Sequence, residues 1–170
     1  AYHISMLRSI ATQTAIALDN AYAYDQLETK NMEITDSINY ARRIQDSMLV
    51  PEHKIQEPLP ESFVLYRPKD IVSGDFYWYS CHENQVFIAA VDCTGHGVPG
   101  AFMSIKGNAL LHQIISIQKT TNPADILKEL HQQLKESVNR ENHQHRDGMD
   151  MALCVIDYRE QIIRFAGANN

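Results

Sequence analysis

The sequence predicts an α+β fold preceded by a long N-terminal helix, and three features indicate this. Residues 4–49 contain no glycine or proline, and their apolar side chains recur at intervals of three and four residues. Strand-like segments then follow, interrupted by a pair of helical segments rather than alternating with single helices. Finally, the segments around residues 76–92 are apolar or aromatic on both faces, which predicts a sheet covered on both sides, as in a β-sandwich.

The long helical segment changes the phase of its apolar spacing between Ala21 and Tyr24, so we expect two parts with different partners. A pattern of this length without internal caps favours a parallel coiled coil that forms a homodimer. Asn31 and Gln45 fall at core positions of that pattern and imply a weak or switchable coil. The alternative is a helix buried within its own domain. Because the chain begins within this pattern, we expect it to be a piece of a longer protein.

After the prolines at positions 51, 58 and 60 the periodicity changes to that of strands. The predicted order is a strand "SFVLYR", a loop "PKDIVSG", strands "DFYWYS" and "VFIAAVD", two helices, a polar loop "NRENHQHRDG", and strands "MDMALCVIDY" and "QIIRFAGA". Glu83 and Asn84 form the expected two-residue turn of a hairpin. Pro99 lies at the expected start of the first helix, and Asn122 is the expected N-cap of the second.

Composition and charge exclude several classes of protein. Hydrophobic residues make up 44% of the chain and charged residues 21%, which is an ordinary globular composition. The net charge of −6 provides no basic surface for nucleic acid. No apolar run approaches the roughly 18 residues of a membrane span. The three cysteines have neither zinc-like spacing nor an even count, which favours a reducing, cytoplasmic location.

The hairpin carries the residues that point to chemistry. A two-residue turn at Glu83 and Asn84 would place Asp75 directly opposite Asp92 on one face of the sheet. Like charges in that position destabilise a sheet unless they share a proton or a cation. Because the surrounding candidates are oxygen ligands, with no histidine or cysteine at ligand spacing, Mg²⁺ or Mn²⁺ is favoured over zinc. A lone aspartate in such a turn is ordinarily structural, so the functional interpretation depends on the facing pair.

The loop "CTGHGVPG" after Asp92 is rich in glycine, so its backbone could approach a bound ion closely. In that arrangement the backbone carbonyl of Cys93 could help to coordinate the metal. Gly95, His96 and Gly97 have a candidate role at a phosphate or in the loop itself. His96 could donate a hydrogen bond to a phosphate or could brace the loop, and the second role is favoured. The following helix would direct the positive end of its dipole towards an anion bound there.

Four segments, "PKDIVSGDFYW", "VDCTGHGVPGAFMS", "DGMDMALCVID" and "FAGANN", resemble the PPM/PP2C-type metal-dependent serine phosphatases of the RsbU/SpoIIE-like bacterial branch. The resemblance implies a PP2C-like β-sandwich flanked by helices, with two Mn²⁺ or Mg²⁺ ions in the complete domain. It assigns Asp75 and Asp92 as metal ligands that act in catalysis through a metal-activated water, with the carbonyl of Cys93 as a further ligand. Thr94 stands where eukaryotic relatives place a proposed general-acid histidine.

The resemblance also implies an organisation. Residues 1–28 are similar to the last helix of a GAF sensor domain, residues 29–56 to a helical signalling linker, and residues 57–170 to the N-terminal part of the phosphatase domain. We therefore expect a phosphatase output domain acting on a phosphoserine protein, such as a regulator of the anti-sigma-factor antagonist type. Further metal aspartates are expected downstream of Asn170, so the 170-residue chain alone is expected to be inactive and to end in an unpaired edge strand.

Other candidates have an ordinary explanation beside the functional one. Asp147 and Asp150 could flank the metal site or could belong to a polar turn. Two cations, Arg67 and Lys69, could attract a phosphoprotein or could simply be solvated. The alternation of His143 and His145 resembles a metal site but lacks a third ligand. Two alternative functions remain open at this point: a non-catalytic signalling and dimerisation module that keeps the phosphatase fold, and a two-metal nuclease, which the lack of basic surface disfavours.

Overall fold

A computed structural model describes residues 2–138 and 148–168. The chain divides into two compact units, the first ending at Tyr40 and the second beginning at Ala41. The polar loop that holds His143, His145 and Asp147 lies outside the described residues. Among the described residues, no helix has the length and apolarity that crossing a membrane requires.

Helix α1 spans Tyr2–Met48, which confirms the long N-terminal helix. Within the first unit most of its large apolar side chains are exposed. These exposed residues are Tyr2, Ile4, Met6, Leu7, Ile10, Ile16, Leu18, Tyr22, Tyr24, Leu27, Met32, Ile34 and Tyr40. The coiled coil and the homodimer remain predictions, and the exposed apolar side chains are what such a pairing would bury.

The second unit contains a four-stranded antiparallel sheet in which the strands lie in chain order. The strands are β1 Phe76–His82, β2 Gln85–Cys93, β3 Met149–Asp157 and β4 Ile162–Ala168. The predicted hairpin is confirmed, because β1 and β2 pair from Phe76 with Val91 to His82 with Gln85. Glu83 takes the positive φ of 53° that the first position of a tight hairpin turn needs.

Three further helices belong to this unit. They are α2 Glu52–Gln56, α3 Gly97–Leu111, which continues as a π-helix over His112–Ile117, and α4 Pro123–Val138. Helix α3 therefore begins two residues before the predicted Pro99. The predicted N-cap of α4 is confirmed, since the side-chain oxygen of Asn122 accepts the amide hydrogens of Ala124 at 2.9 Å and Asp125 at 3.3 Å.

Helices α3 and α4 cover one face of the sheet and form the core with it. The core residues from the sheet are Phe76, Trp78, Phe87, Ala89, Val91, Cys93, Met149, Met151, Leu153 and Val155, and those from the helices are Leu111, Ile114, Ile115, Ile126, Leu130 and Leu134. Along β1, β2 and β3 the core residues alternate with residues of the other face, as expected when one face is buried. The fold is α+β, as predicted. The described residues form one of the two sheets that a β-sandwich contains.

The residues that the structure describes cover the second face of the sheet only in part, with Val86 fully buried there. The second face carries Ala90, Ala152 and Phe165, all exposed, with Phe165 at 68%. The segment before the sheet contacts β1 through Val50, whose carbonyl accepts from the Tyr77 hydroxyl at 2.8 Å, and it contacts the end of β3 through Pro58, whose carbonyl accepts from the Tyr158 hydroxyl at 2.8 Å. The apolar residues on both faces predicted that other segments cover the sheet, but they did not indicate which segments these are.

The predicted strand "SFVLYR" is wrong as a strand. Residues 62–67 form no ladder with the described strands. The alternation itself is present, because Phe63 and Leu65 are exposed at 80% and 74% while Val64 and Tyr66 are half-buried. A strand requires a hydrogen-bonded neighbour as well as an alternating sequence.

The assignment of Gln45 to the core of a coiled coil is wrong. Its side chain is only 4% exposed and lies inside the second unit. There it donates to the carbonyl oxygen of Ser73 at 2.6 Å and to the hydroxyl of Ser104 at 2.7 Å. Helical periodicity placed Gln45 on an inward face correctly, but spacing alone cannot tell which surface a helix face meets.

Candidate metal centre

Asp75 and Asp92 lie next to each other at one end of the hairpin. Asp75 immediately precedes β1 and Asp92 is the penultimate residue of β2, so the register of the hairpin sets them opposite one another. Their carboxyl groups are close enough to interact electrostatically. Desolvation raises the pKa of Asp75, and the adjacent Asp92 raises it further. The surroundings of the described residues thus disfavour negative charge on Asp75, which a bound cation would offset. Their roles as metal ligands remain predictions.

A third carboxylate extends this row onto the next strand. Asp150 in β3 is the register partner of Asp92, so the two residues lie on the same face of the sheet. Of the two alternatives for Asp150, a position beside the metal site agrees with this placement. A polar turn does not, because Asp150 lies within a strand. Within residues 2–138 and 148–168, however, no three His, Cys, Asp or Glu side chains are arranged to hold one metal ion.

Three glycines bring the two aspartate-bearing segments together. A Cβ atom on Gly74 would lie 2.7 Å from the carbonyl oxygen of Gly95, and one on Gly100 would lie 2.6 Å from the same oxygen. Neither distance is compatible with a side chain, so the loop before Asp75, the loop after Asp92 and the start of α3 meet backbone to backbone. The sequence identified the loop glycines but did not indicate that Gly74 and Gly100 meet.

Cys93 can contribute to this site through its carbonyl group but not through its thiol. The carbonyl oxygen lies 3.2 Å from where a Cβ on Gly74 would be, beside the residue that precedes Asp75. The thiol is buried in the core on the opposite face of the sheet. Burial raises the pKa of Cys93 to about 12, with contributions from the charges of Asp75 and Asp92, so the thiol stays protonated.

The loop after Cys93 is held by its own contacts. Gly95 and Gly97 have φ angles of 94° and 63°, a region that other residues rarely adopt. Between them, His96 Nδ1 lies 3.2 Å from Asp70 Oδ2, which fits the bracing role that the sequence favoured. The amide of Thr94 donates to the carbonyl of Gly148 at 2.9 Å. Thr94 therefore ties the loop to the start of β3, and a role for the loop at a phosphate remains a prediction.

The backbone of Asp75 is fixed by residues that the sequence analysis missed. Its amide donates to the hydroxyl of Ser73 at 3.0 Å, and its carbonyl accepts from the hydroxyl of Tyr66 at 3.1 Å. Ser73 is in turn held by Gln45. The one available signal was the polar residue Gln45 on a mostly apolar helix face. The expected cations, Arg67 and Lys69, are exposed near this loop, and their attraction for a phosphoprotein stays a prediction.

Two comparisons with known proteins identify the family and the fold of the chain. The family model for stage II sporulation protein E matches residues 82–170. The chain belongs to the SpoIIE family. It is also similar to the solved structure of the SiaA-PP2C domain of Pseudomonas aeruginosa, with a TM-score of 0.69 and 35% sequence identity. No curated protein sequence matches the chain significantly.

The similarity to the SiaA-PP2C domain covers 81% of this chain and 55% of that one. The chain therefore spans about half the length of the solved domain. This SpoIIE-family chain is part of a PP2C-type phosphatase fold, and its described residues form one four-stranded sheet of that fold. The two comparisons do not bear on the GAF-like and coiled-coil interpretations of the N-terminal residues.

Proposed function

We propose that this SpoIIE-family chain is the N-terminal part of a metal-dependent protein serine/threonine phosphatase domain. The observation that carries the proposal is the facing pair of Asp75 and Asp92 beside a glycine-rich loop. Two carboxylates that face each other across the hairpin, with the pKa of Asp75 raised, destabilise the sheet on their own and suit a divalent cation. The deficit of basic residues argues against a nucleic-acid substrate, as the sequence already indicated.

The donor set fits Mn²⁺ or Mg²⁺. Asp75, Asp92 and the carbonyl of Cys93 are oxygen ligands, and Asp150 extends the row of carboxylates. Such ions supply Lewis acidity for the hydrolysis of a phosphate ester. In this proposal the residues of the chain orient the metal ligands. The close approach of Gly74, Gly95 and Gly100, which we call the glycine junction, fixes the distance between the two aspartate-bearing segments. The contact between His96 and Asp70 holds the loop beside them. Two ions in the complete domain would require ligands beyond these residues.

The domain organisation is proposed on the same basis. Residues 57–170 would form the phosphatase portion, residues 29–56 a helical signalling linker, and residues 1–28 the end of a GAF-like sensor domain. The exposed apolar side chains of α1 support a parallel homodimer through this helix. The substrate class that we propose is a phosphoserine protein, with a regulator of the anti-sigma-factor antagonist type as the specific candidate.

The test is phosphate release from a phosphoserine protein, measured for a longer protein that continues beyond Asn170, with Mn²⁺, with Mg²⁺ and with a chelator. We expect metal-dependent release by the wild type, a loss of at least about a hundredfold in Asp92→Asn because a metal ligand is removed, and little change in the exposed control Asp19→Asn. The 170-residue chain should release little phosphate. Absence of release by the longer protein with either metal would favour the alternative, a non-catalytic signalling and dimerisation module.

A further inference from the structure

A groove of about 360 Å³ runs along the outer edge of β1. It lies between residues 77–80 of this strand and the end of α3, where Ala109 and His112 line it. The π-helix begins at His112, and such turns are frequent at functional sites. The volume of the groove falls in the range of natural ligand sites. We call it the β1 groove.

The backbone of β1 has unused hydrogen-bonding groups on this edge. Strand β1 ends the sheet, so among the described strands only β2 pairs with it. His82 and Gln85 flank the two-residue turn and form a hydrogen-bonded pair, and such pairs occur at every second position along a hairpin. Tyr77, Tyr79 and Cys81 therefore point their N–H and C=O groups away from β2. An extended peptide can pair with these groups as a further strand.

The wall of the β1 groove also holds an indole without an acceptor. Trp78 is only 6% exposed, and no described residue accepts a hydrogen bond from its N–H. Within residues 2–138 and 148–168 every fully buried polar side-chain atom has a partner, so this N–H must reach the surface. The surface that Trp78 lines is the β1 groove. Because a donor without a partner is unfavourable, a bound group that carries an acceptor would satisfy it.

The charges near the β1 groove favour a basic occupant. Burial raises the pKa of Tyr77, and the charge of Glu52 is among the groups that raise it further. Burial also raises the pKa of Tyr79 to about 12, with a contribution from the charge of Glu57. Both glutamates are exposed beside this edge of the sheet. Lysine or arginine side chains of a bound peptide would complement them, whereas acidic side chains would be repelled.

We propose that the β1 groove binds an extended segment of a partner protein in which basic residues flank one large apolar side chain. The segment adds a strand to the edge of β1, and its apolar side chain enters between β1 and α3. An acceptor of the segment takes the N–H of Trp78. Alternate side chains of a strand point to opposite faces, so only every second residue of the segment reaches the groove. None of these contacts uses Asp75 or Asp92, so the proposal does not depend on the phosphatase function.

The test begins with random seven-residue peptides displayed on phage. These peptides are selected on the longer protein that continues beyond Asn170, and binders to its Ala109→Phe variant are removed. Ala109 is exposed and lines the groove, so its replacement by phenylalanine should fill the site without unfolding the protein. Ala124→Phe makes the same change at an exposed position of α4 and is the control. We expect the selected peptides to carry one large apolar residue among lysines and arginines.

A selected peptide is then synthesised, and its affinity is measured by fluorescence anisotropy. We expect Ala109→Phe to weaken binding by at least about tenfold and Ala124→Phe to leave it unchanged. Trp78→Phe keeps an aromatic ring but removes the N–H, so the affinity should fall by about fivefold. Two further peptides are methylated on alternate backbone amides. One of them should bind about tenfold more weakly and the other as before, because only every second amide of a strand faces β1.

The proposal is overturned when no peptide distinguishes the wild type from Ala109→Phe. Equal effects of the two methylation patterns would also overturn it, because the peptide would then not bind as a strand. An affinity of Trp78→Phe equal to that of the wild type would refute the contact with the indole. Should Ala109→Phe fail to fold, Ala109→Leu fills less of the groove and should still weaken binding, and an unchanged affinity would place the peptide elsewhere.

Discussion

Adding one methyl group at Gly100 should separate the two segments that carry the aspartates. In Gly100→Ala the new Cβ would lie 2.6 Å from the carbonyl oxygen of Gly95 and 3.0 Å from the Cα of Gly74. Both obstacles are backbone atoms, so no side-chain rotation relieves them. To restore ordinary contact at 3.4 Å, the Gly95 carbonyl would have to retreat by about 0.8 Å. The glycine junction would open by that amount.

The cost follows from two opposing terms. Overpacking of this kind destabilises a protein by about 1–3 kcal/mol, whereas alanine is favoured over glycine in a helix by about 1 kcal/mol. We expect a net loss of about 1 kcal/mol, which lowers the melting temperature of a chain of this size by about 2–4 °C. The effect on activity should be larger. A misplacement approaching 1 Å at a catalytic site can reduce the rate by about a hundredfold, so we expect a loss of about tenfold or more.

Gly107→Ala is the matched control, since Gly107 is also buried in α3. There the new Cβ would meet the ends of side chains, Met149 at 2.9 Å and Phe76 at 3.1 Å, and these can move aside. The assays are thermal unfolding and Mn²⁺-dependent phosphate release by the longer protein. Equal activity in the two variants, or full activity in Gly100→Ala, would show that the close approach of Gly74, Gly95 and Gly100 does not position the site.

Four further outcomes are expected. Asp92→Asn should abolish Mn²⁺-dependent phosphate release without lowering the melting temperature, because it removes a like charge opposite its neighbour; a lower melting temperature would mean that the pair is stabilising. Asn122→Ala should destabilise the chain by about 1 kcal/mol through loss of the cap of α4, and unchanged thermal unfolding would contradict this. At pH 8 a thiol reagent should modify exposed Cys81 but not Cys93, whose pKa of about 12 leaves almost no thiolate at that pH, and equal labelling would refute the assignment. Sedimentation should show a dimer that Leu27→Glu converts to a monomer, whereas a monomeric wild type at high concentration would exclude pairing through α1.

The sequence by itself determined the elements that depend on neighbours in the chain. The absence of glycine and proline up to residue 49 indicated the long helix, and Asn122 before Pro123 indicated the start of α4. The two-residue turn at Glu83 and Asn84 determined the register of the hairpin and so the pairing of the two aspartates. Because a register is set by counting residues from a turn, this part of the site could be predicted from the order of the residues alone.

Only the tertiary structure decided which surfaces meet. Gln45 occupied an inward position in the helical pattern, yet its partners, Ser73 and Ser104, are 28 and 59 residues away in the chain. The approach of Gly74 to Gly100, and the lack of a ladder partner for residues 62–67 among the described strands, are equally long-range. Periodicity indicates that a face is apolar, and turn residues indicate that a turn is tight. It carries no information on the partner, because contacts between distant segments depend on how whole elements fit together.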